Sequence, residues 1–111
     1  MLLSWFAHLT EFKMALLSAF SPAYKSGQSV SPAASAASIT LPIEGKSVCL
    51  TNTGSNICYV QIGNSGITAT TADYPVPVGA QVIVTRDGQS TTLSHISALG
   101  TTLHVMVGDG L

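Results

Sequence analysis

The stretch Ser47–Gly66, SVCLTNTGSNICYVQIGNSG, decides the fold class of this chain. Val48 and Leu50 alternate with small or polar residues before the central T-G-S, and Val60 and Ile62 alternate with other residues after it. A period of two is typical of half-buried β-strands, because successive side chains point to opposite faces of a sheet. With turn-forming residues between its halves, the stretch predicts a hairpin of two strands.

The same period continues from Ile39 to the C-terminus. It predicts strands near 37–42, 47–53, 57–63, 74–78, 81–86, 92–97 and 101–107. Asp87-Gly88 predicts a further hairpin, and Pro75 and Pro77 make their segment an edge strand or a strand entrance because proline has no N–H to donate. Short strands at this spacing, with no helical period after residue 38, indicate an all-β fold, a small antiparallel β-sandwich or jelly-roll-like barrel. The predicted inward residues are Val48, Leu50, Val60, Ile62, Val82, Val84, Ile96, Leu103, Val105 and Val107.

The N-terminus has a different pattern. In MLLSWFAHLTEFKMALLSAF, Glu11 and Lys13 interrupt the apolar run, which makes it a poor membrane span, and no positive region precedes it as in a signal peptide. The apolar spacing predicts a helical arm over residues 1–20, packed either on its own domain or on a neighbouring subunit. Met14 is an alternative start, and residues 1–13 would then be an annotation artefact or an extension that is disordered in isolation.

Residues 21–38 are rich in serine, alanine and proline and have no apolar period. Such a composition predicts a linker, extended or flexible, between the arm and the compact part of the chain. Residues 39–111 are then expected to form the β-sandwich domain.

Charged residues are scarce. They make up 8% of the 111 residues, with a net charge of −1, where about 25% is usual. This gives no electrostatic basis for binding nucleic acid or an anionic membrane. Because soluble monomers normally rely on net charge to stay apart, a chain with a mean hydropathy of +0.43 is better suited to an assembly.

The two cysteines, Cys49 and Cys58, lie in the two halves of the opening stretch. If Val48 and Leu50 share a face with Val60, Cys49 points to the opposite face from Cys58. We therefore expect two free thiols, as in a protein folded in a reducing cytoplasm.

Chemistry-bearing residues form no convincing catalytic or metal site in the sequence. His95 and His104 would face each other if their strands formed a hairpin, but a closed site wants four ligands, and no carboxylate or cysteine has suitable spacing. Asp73, Asp87 and Asp109 lie in turns or near the C-terminus, where aspartate commonly bonds local backbone. We expect a protein without enzymatic activity, cofactor or metal.

The segment from Val48 to Gly110 resembles small β-domain structural proteins of tailed bacteriophages. The resemblance is carried by VCLTNTG at the first strand and turn, by ATTADYPVPVG in the middle and by VMVGDG near the C-terminus. It implies a virion protein, most plausibly a capsid decoration (minor capsid or cement) protein, assembled in the host cytoplasm. It also implies the major capsid protein or other virion subunits as partners. The N-terminal arm is not part of the pattern, so a neck, tail or fibre subunit remains an alternative.

Contacts with other virion subunits would then bury surface area and add strands at exposed sheet edges. The candidate contact elements are the arm and the proline-bearing edge, and the residues are Trp5, Phe6, Phe12, Phe20, Tyr74, Val76 and Val78. A homo-oligomer is expected, with a trimer favoured because it suits a capsid three-fold site. A carbohydrate- or host-surface-binding module is an alternative from another class; it would need exposed aromatics around a concavity.

Overall fold

The computed structural model describes residues 20–87 and 90–110, and each regular element in them is a β-strand. The nine strands are β1 (Ser21–Pro22), β2 (Gln28–Val30), β3 (Ala37–Thr40), β4 (Ser47–Asn52), β5 (Cys58–Gly63), β6 (Tyr74–Val76), β7 (Gln81–Thr85), β8 (Thr92–Ile96) and β9 (Leu103–Asp109). The seven strands predicted from the period-two pattern correspond to β3–β9. The prediction of an all-β chain is therefore confirmed for the described residues.

The strands form two antiparallel sheets packed on a common core. Sheet A has the order β1-β9-β4-β7, with β2 also paired to β9, and sheet B has the order β3-β8-β5-β6. From β2 onward, consecutive strands alternate between the sheets, with β5 and β6 as the exception. This connectivity is that of a jelly roll, one of the two architectures expected from the strand pattern.

The predicted hairpins are wrong. β4 pairs with β7 and β9, whereas β5 pairs with β6 and β8 in the other sheet. The connection after Thr85 likewise leaves sheet A and enters sheet B. The physical reason is that alternation identifies the buried face of a strand but not its neighbour. The inward residues of β4 and β5 meet across the core instead of side by side on one sheet.

The core lies between the sheets and consists of small and medium apolar side chains: Leu41, Val48, Leu50, Cys58, Val60, Val76, Leu93, Leu103, Val105 and Val107. Most predicted inward residues belong to it or pack against it. Ile96 is the exception and is half-buried. It lies on the outer face of sheet B, because Leu93 and His95 pair with the inward Ile62 and Val60.

Both cysteines are free, as predicted, and they lie in different sheets and point to different faces. Cys58 projects into the core from sheet B, whereas Cys49 is half-buried on the outer face of sheet A. Burial raises the pKa of Cys58 to about 11, and burial also raises the pKa of Cys49. Neither thiol is therefore a ready nucleophile at neutral pH.

Residues 21–38 belong to the sandwich and are not a linker in this structure. Pro22 pairs with Gly108, and Ser29 pairs with His104, so β1 and β2 extend sheet A along the edge of β9. Pro32 is fully buried, and its carbonyl accepts a hydrogen bond from the Thr101 N–H at 3.1 Å. Short edge strands of small residues show no apolar period, which is why the sequence pattern missed them. The predicted helical arm lies outside the described residues except for Phe20.

A buried arginine fixes one end of the sandwich. The Arg86 guanidinium donates hydrogen bonds to the backbone carbonyls of Gly45 at 3.2 Å, Glu44 at 2.9 Å and Pro42, all in the β3–β4 connection. It also donates to the Ser90 carbonyl at 3.3 Å. The buried cation is thus satisfied by carbonyl oxygens that the turning backbone leaves unpaired.

Candidate interaction surface

The opposite end of the sandwich exposes apolar side chains. This surface, called the loop end here, comprises the connections 31–36, 53–57, 77–80 and 97–102. On it Leu99 is 81% exposed, Val78 54% and Ile57 39%. Exposed apolar side chains that share one end of a molecule are candidates for contact with a partner. The loop end is therefore the candidate interaction surface.

Asn52, fully buried at the end of β4, joins two of these connections and the end of β6 through its side chain. Its side-chain N–H groups donate to the carbonyls of Asn56 and Val76, both at 2.9 Å. Its side-chain oxygen accepts from the Gly54 N–H at 3.1 Å and from the Thr101 hydroxyl at 2.8 Å. An asparagine offers two donors and one acceptor oxygen with two lone pairs, so this side chain is fully satisfied.

A second layer of hydrogen bonds holds the exposed residues themselves. The Asn56 side chain donates to the Gly100 carbonyl at 2.7 Å, beside Leu99. The Ser97 hydroxyl donates to the Ile57 carbonyl at 2.7 Å. The backbone carrying Ile57 and Leu99 is thus held on both sides, which limits the entropy that these apolar groups would lose on binding.

Gly54 explains why the T-N-T-G turn has its composition. A Cβ on this residue would collide with the Thr101 hydroxyl and would lie 2.9 Å from the Thr101 Cα. The turn therefore needs glycine for close approach of the β8–β9 connection to Asn52.

The structure separates the residues predicted to make contacts. Tyr74 and Val78 are exposed, and their contact with a partner stays a prediction. Val76 has no exposed area and lies in the core, so it is not available to a partner. Phe20 is half-buried beside Gly108. The other predicted contact residues, Trp5, Phe6 and Phe12, lie outside the described residues.

The sheet edges differ in what they offer a partner strand. β6 is an edge of sheet B, as its prolines predicted, and Pro75 and Pro77 remove two N–H donors from it. β7 is an edge of sheet A, with no proline and no charged residue between Gln81 and Thr85. Such an edge is the better template for strand addition. Within the described part of the chain, no strand covers it.

The predicted cross-strand histidine pair does not form, because β8 and β9 lie in different sheets. His104 is exposed, whereas His95 is buried in sheet B with its Nδ1 atom lacking a hydrogen-bond partner. Burial lowers the pKa of His95 below its ordinary value. No three His, Cys, Asp or Glu side chains in residues 20–87 and 90–110 are grouped so that they could hold a metal ion.

The buried His95 predicts that the stability of the protein depends on pH. The folded pKa lies below the unfolded value of about 6.5, so below that pH the unfolded chain binds a proton that the folded chain does not. We expect the free energy of unfolding to be level near pH 7.5 and to fall below about pH 6.5, by at most about 1.4 kcal/mol per pH unit. Urea unfolding at pH 7.5, 6.5 and 5.5 measures it.

His95→Leu should remove this slope, whereas His104→Gln should retain it because His104 is exposed. An unchanged slope in His95→Leu would assign the pH dependence to other groups.

Two carboxylates accept hydrogen bonds from backbone N–H groups. Asp73 accepts one from the Thr70 N–H at 2.7 Å, as expected of an aspartate in a turn. Asp109, at the end of β9, accepts one from the Lys46 N–H in the β3–β4 connection at 3.1 Å and not from its own local backbone. Both carboxylates thus have structural partners.

The fold places the chain among all-β sandwich proteins, and comparison with solved structures agrees. PirA matches with a TM-score of 0.52 and 12% identity over 76% of this chain and 94% of that one. A pentameric capsid protein isolated from metagenomic phage sequences matches with a TM-score of 0.43 and 18% identity, over 88% of this chain and 78% of that one.

A protein of the Bacillus endospore appendages, a family of disulfide-linked pili, matches with a TM-score of 0.44 and 17% identity, over 74% and 82% of the two chains. At these identities the likeness concerns the fold alone, and of these three matches the one to PirA carries the comparison. No protein-family model and no curated sequence matches this chain. The described residues include no helix long and apolar enough to cross a membrane.

Proposed function

We propose that this chain is a non-enzymatic structural subunit of a tailed-bacteriophage virion, and specifically a capsid decoration protein that bridges neighbouring capsid subunits. The observation that carries the proposal is the loop end, where Ile57, Val78 and Leu99 are exposed and where buried asparagine and serine side chains hold the backbone at Ile57. A rigid apolar surface binds by shape and burial, because little of its freedom remains to be lost.

The composition supports an assembly role. With 8% charged residues, the surface has little electrostatic steering and little repulsion between copies. Contact through apolar and backbone groups is the binding mode that remains. The proposed partners are the major capsid protein and further copies of this chain, with a trimer at a capsid three-fold site.

The uncovered edge of β7 supplies a second mode of contact. Val82 and Val84 of this strand pack against the core, which holds the strand in place, while its outer backbone groups lack a partner strand in the described residues. A strand from a neighbouring subunit would pair with these groups without any specific side-chain chemistry.

The test is binding to emptied capsids of the phage that encodes the chain. The variant Val78→Ser/Leu99→Ser should weaken capsid binding by about 100-fold or more, because burying each of these apolar side chains contributes about 1.5–3 kcal/mol. Sedimentation of a labelled chain with capsids measures the affinity. Ile43→Ser is the matched control, since Ile43 is 87% exposed but lies in the β3–β4 connection at the other end.

Equal binding by the double variant and the unchanged protein would exclude the loop end as the contact. Cryo-electron microscopy of the decorated particle then distinguishes capsid from neck, tail or fibre. A chain that binds none of these but binds glycans on an array would replace the proposal with a host-surface-binding module.

A further inference from the structure

The outer face of sheet A carries an apolar row across its three longest strands. Cys49 of β4 pairs with Ile83 of β7 on one side and with Met106 of β9 on the other. Directly paired side chains in an antiparallel sheet point to the same face and lie about 5 Å apart. All three are half-buried, and they point away from the core that Val48 and Leu50 enter.

Phe20, the first described residue of the chain, lies at the edge of this outer face. Gly108 lies two residues beyond Met106 on β9, so both residues belong to the outer face. A Cβ on Gly108 would lie 2.8 Å from the Cζ atom of Phe20, and the backbone of Ser21 and Pro22 surrounds the same position. The absence of a side chain on Gly108 thus makes room for Phe20 at the rim of the apolar row.

The residues that precede Phe20 have the composition of a covering segment. Of residues 1–19, 13 are apolar and six are polar. In the predicted helix, Phe12 and Leu16 share a face with Phe20, because they are spaced by four residues. Ser4, Glu11 and Ser18, spaced by seven, share the opposite face. Such a helix would present the side that carries Phe12 and Leu16 to the position of Phe20.

The distances suit this arrangement. Met106 is two residues from Gly108, or about 7 Å along the strand. Leu16 lies four residues before Phe20, or about 6 Å along a helix. Because residue 19 is bonded directly to Phe20, a helix ending there would meet the face of its own chain at a high effective concentration.

We propose that residues 1–19 dock on the outer face of sheet A of the same chain and cover the row Ile83–Cys49–Met106. The sandwich would then have a third layer on one side, with Cys49 beneath it. This inference concerns the folding of one chain and stands apart from the proposed capsid contact at the loop end.

Cys49 allows a direct test in the full-length protein. Phe12→Cys and Leu16→Cys are made singly and oxidised at low protein concentration. A disulfide to Cys49 within one chain, seen as a faster-migrating monomer on a non-reducing gel and assigned by peptide mass, is the expected result. Leu99→Cys, on the loop end, is the control that should form no such bond. A bond between two chains, or none at all, would overturn the proposal.

A second measurement needs no new cysteine. Phe12→Ser/Leu16→Ser should raise the rate at which Cys49 reacts with a thiol reagent by about tenfold, because the reagent gains access to the thiol. Leu3→Ser/Met14→Ser, which removes two apolar residues from the opposite side of the predicted helix, should leave the rate unchanged. Cys58, buried in the core, must stay unreactive in all variants and so reports that the sandwich remains folded. Equal Cys49 rates in both double variants contradict the docking.

Discussion

Replacing Asn52 with alanine is expected to lower the free energy of unfolding by about 3–5 kcal/mol, the upper range for a single substitution. The change removes four hydrogen bonds at once and leaves the Gly54 N–H, the Thr101 hydroxyl and the carbonyls of Asn56 and Val76 without their partner. Unsatisfied buried polar groups account for most of this loss. Urea unfolding followed by far-UV circular dichroism measures it.

Asn64→Ala is the matched control, because Asn64 is exposed in the β5–β6 connection. It should change stability by less than about 0.5 kcal/mol. If Asn52→Ala behaved like the control, water would have to replace the whole asparagine network. Asn52→Asp should also destabilise, since a carboxylate cannot donate to the two carbonyls.

Arg86→Met is expected to destabilise the protein by about 2–4 kcal/mol, since hydrogen bonds to charged groups are stronger than neutral ones. Methionine fills much of the same space but leaves the carbonyls of Pro42, Glu44, Gly45 and Ser90 without a donor. The β3–β4 connection should loosen first, and hydrogen exchange of its amides measures this loosening alongside global unfolding.

Lys46→Met provides the comparison for charge. It removes one positive charge from an exposed side chain in the same connection. We expect its stability to remain within about 0.5 kcal/mol of the unchanged protein. A loss in Lys46→Met equal to that in Arg86→Met would mean that net charge, and not the carbonyl contacts, explains the effect.

The sequence pattern predicted the positions of the strands well but their pairing partners poorly. Alternation locates β4 and β5 because each strand has one buried face, but two strands from opposite sheets give the same alternation as two strands of a hairpin. The strands within residues 21–38 were missed for a different reason. They join sheet A through backbone hydrogen bonds at its edge, which leave no apolar period in the sequence.

Of the three exposed apolar residues at the loop end, only Val78 was among the contact residues predicted from the sequence. Val76 was predicted too, but it follows the inward phase of β6. The role of Asn52 was missed, although a signal existed: it continues the inward phase of Val48 and Leu50, where a polar residue must find partners. His95 likewise continues the inward phase of Leu93 in β8. The sequence prediction took Ile96 as the inward residue instead, so the burial of His95 was missed.

The position of β9 has a consequence for how the chain folds. β9 is the last strand along the described chain, yet it lies between β4 and the first two strands in sheet A. Sheet A therefore cannot form during synthesis until β9 has left the ribosome, and most of its pairings close long loops, which slows folding. Until that moment the nascent chain holds unpaired strand edges, which are prone to aggregation, and a fragment ending before Leu103 should remain unfolded.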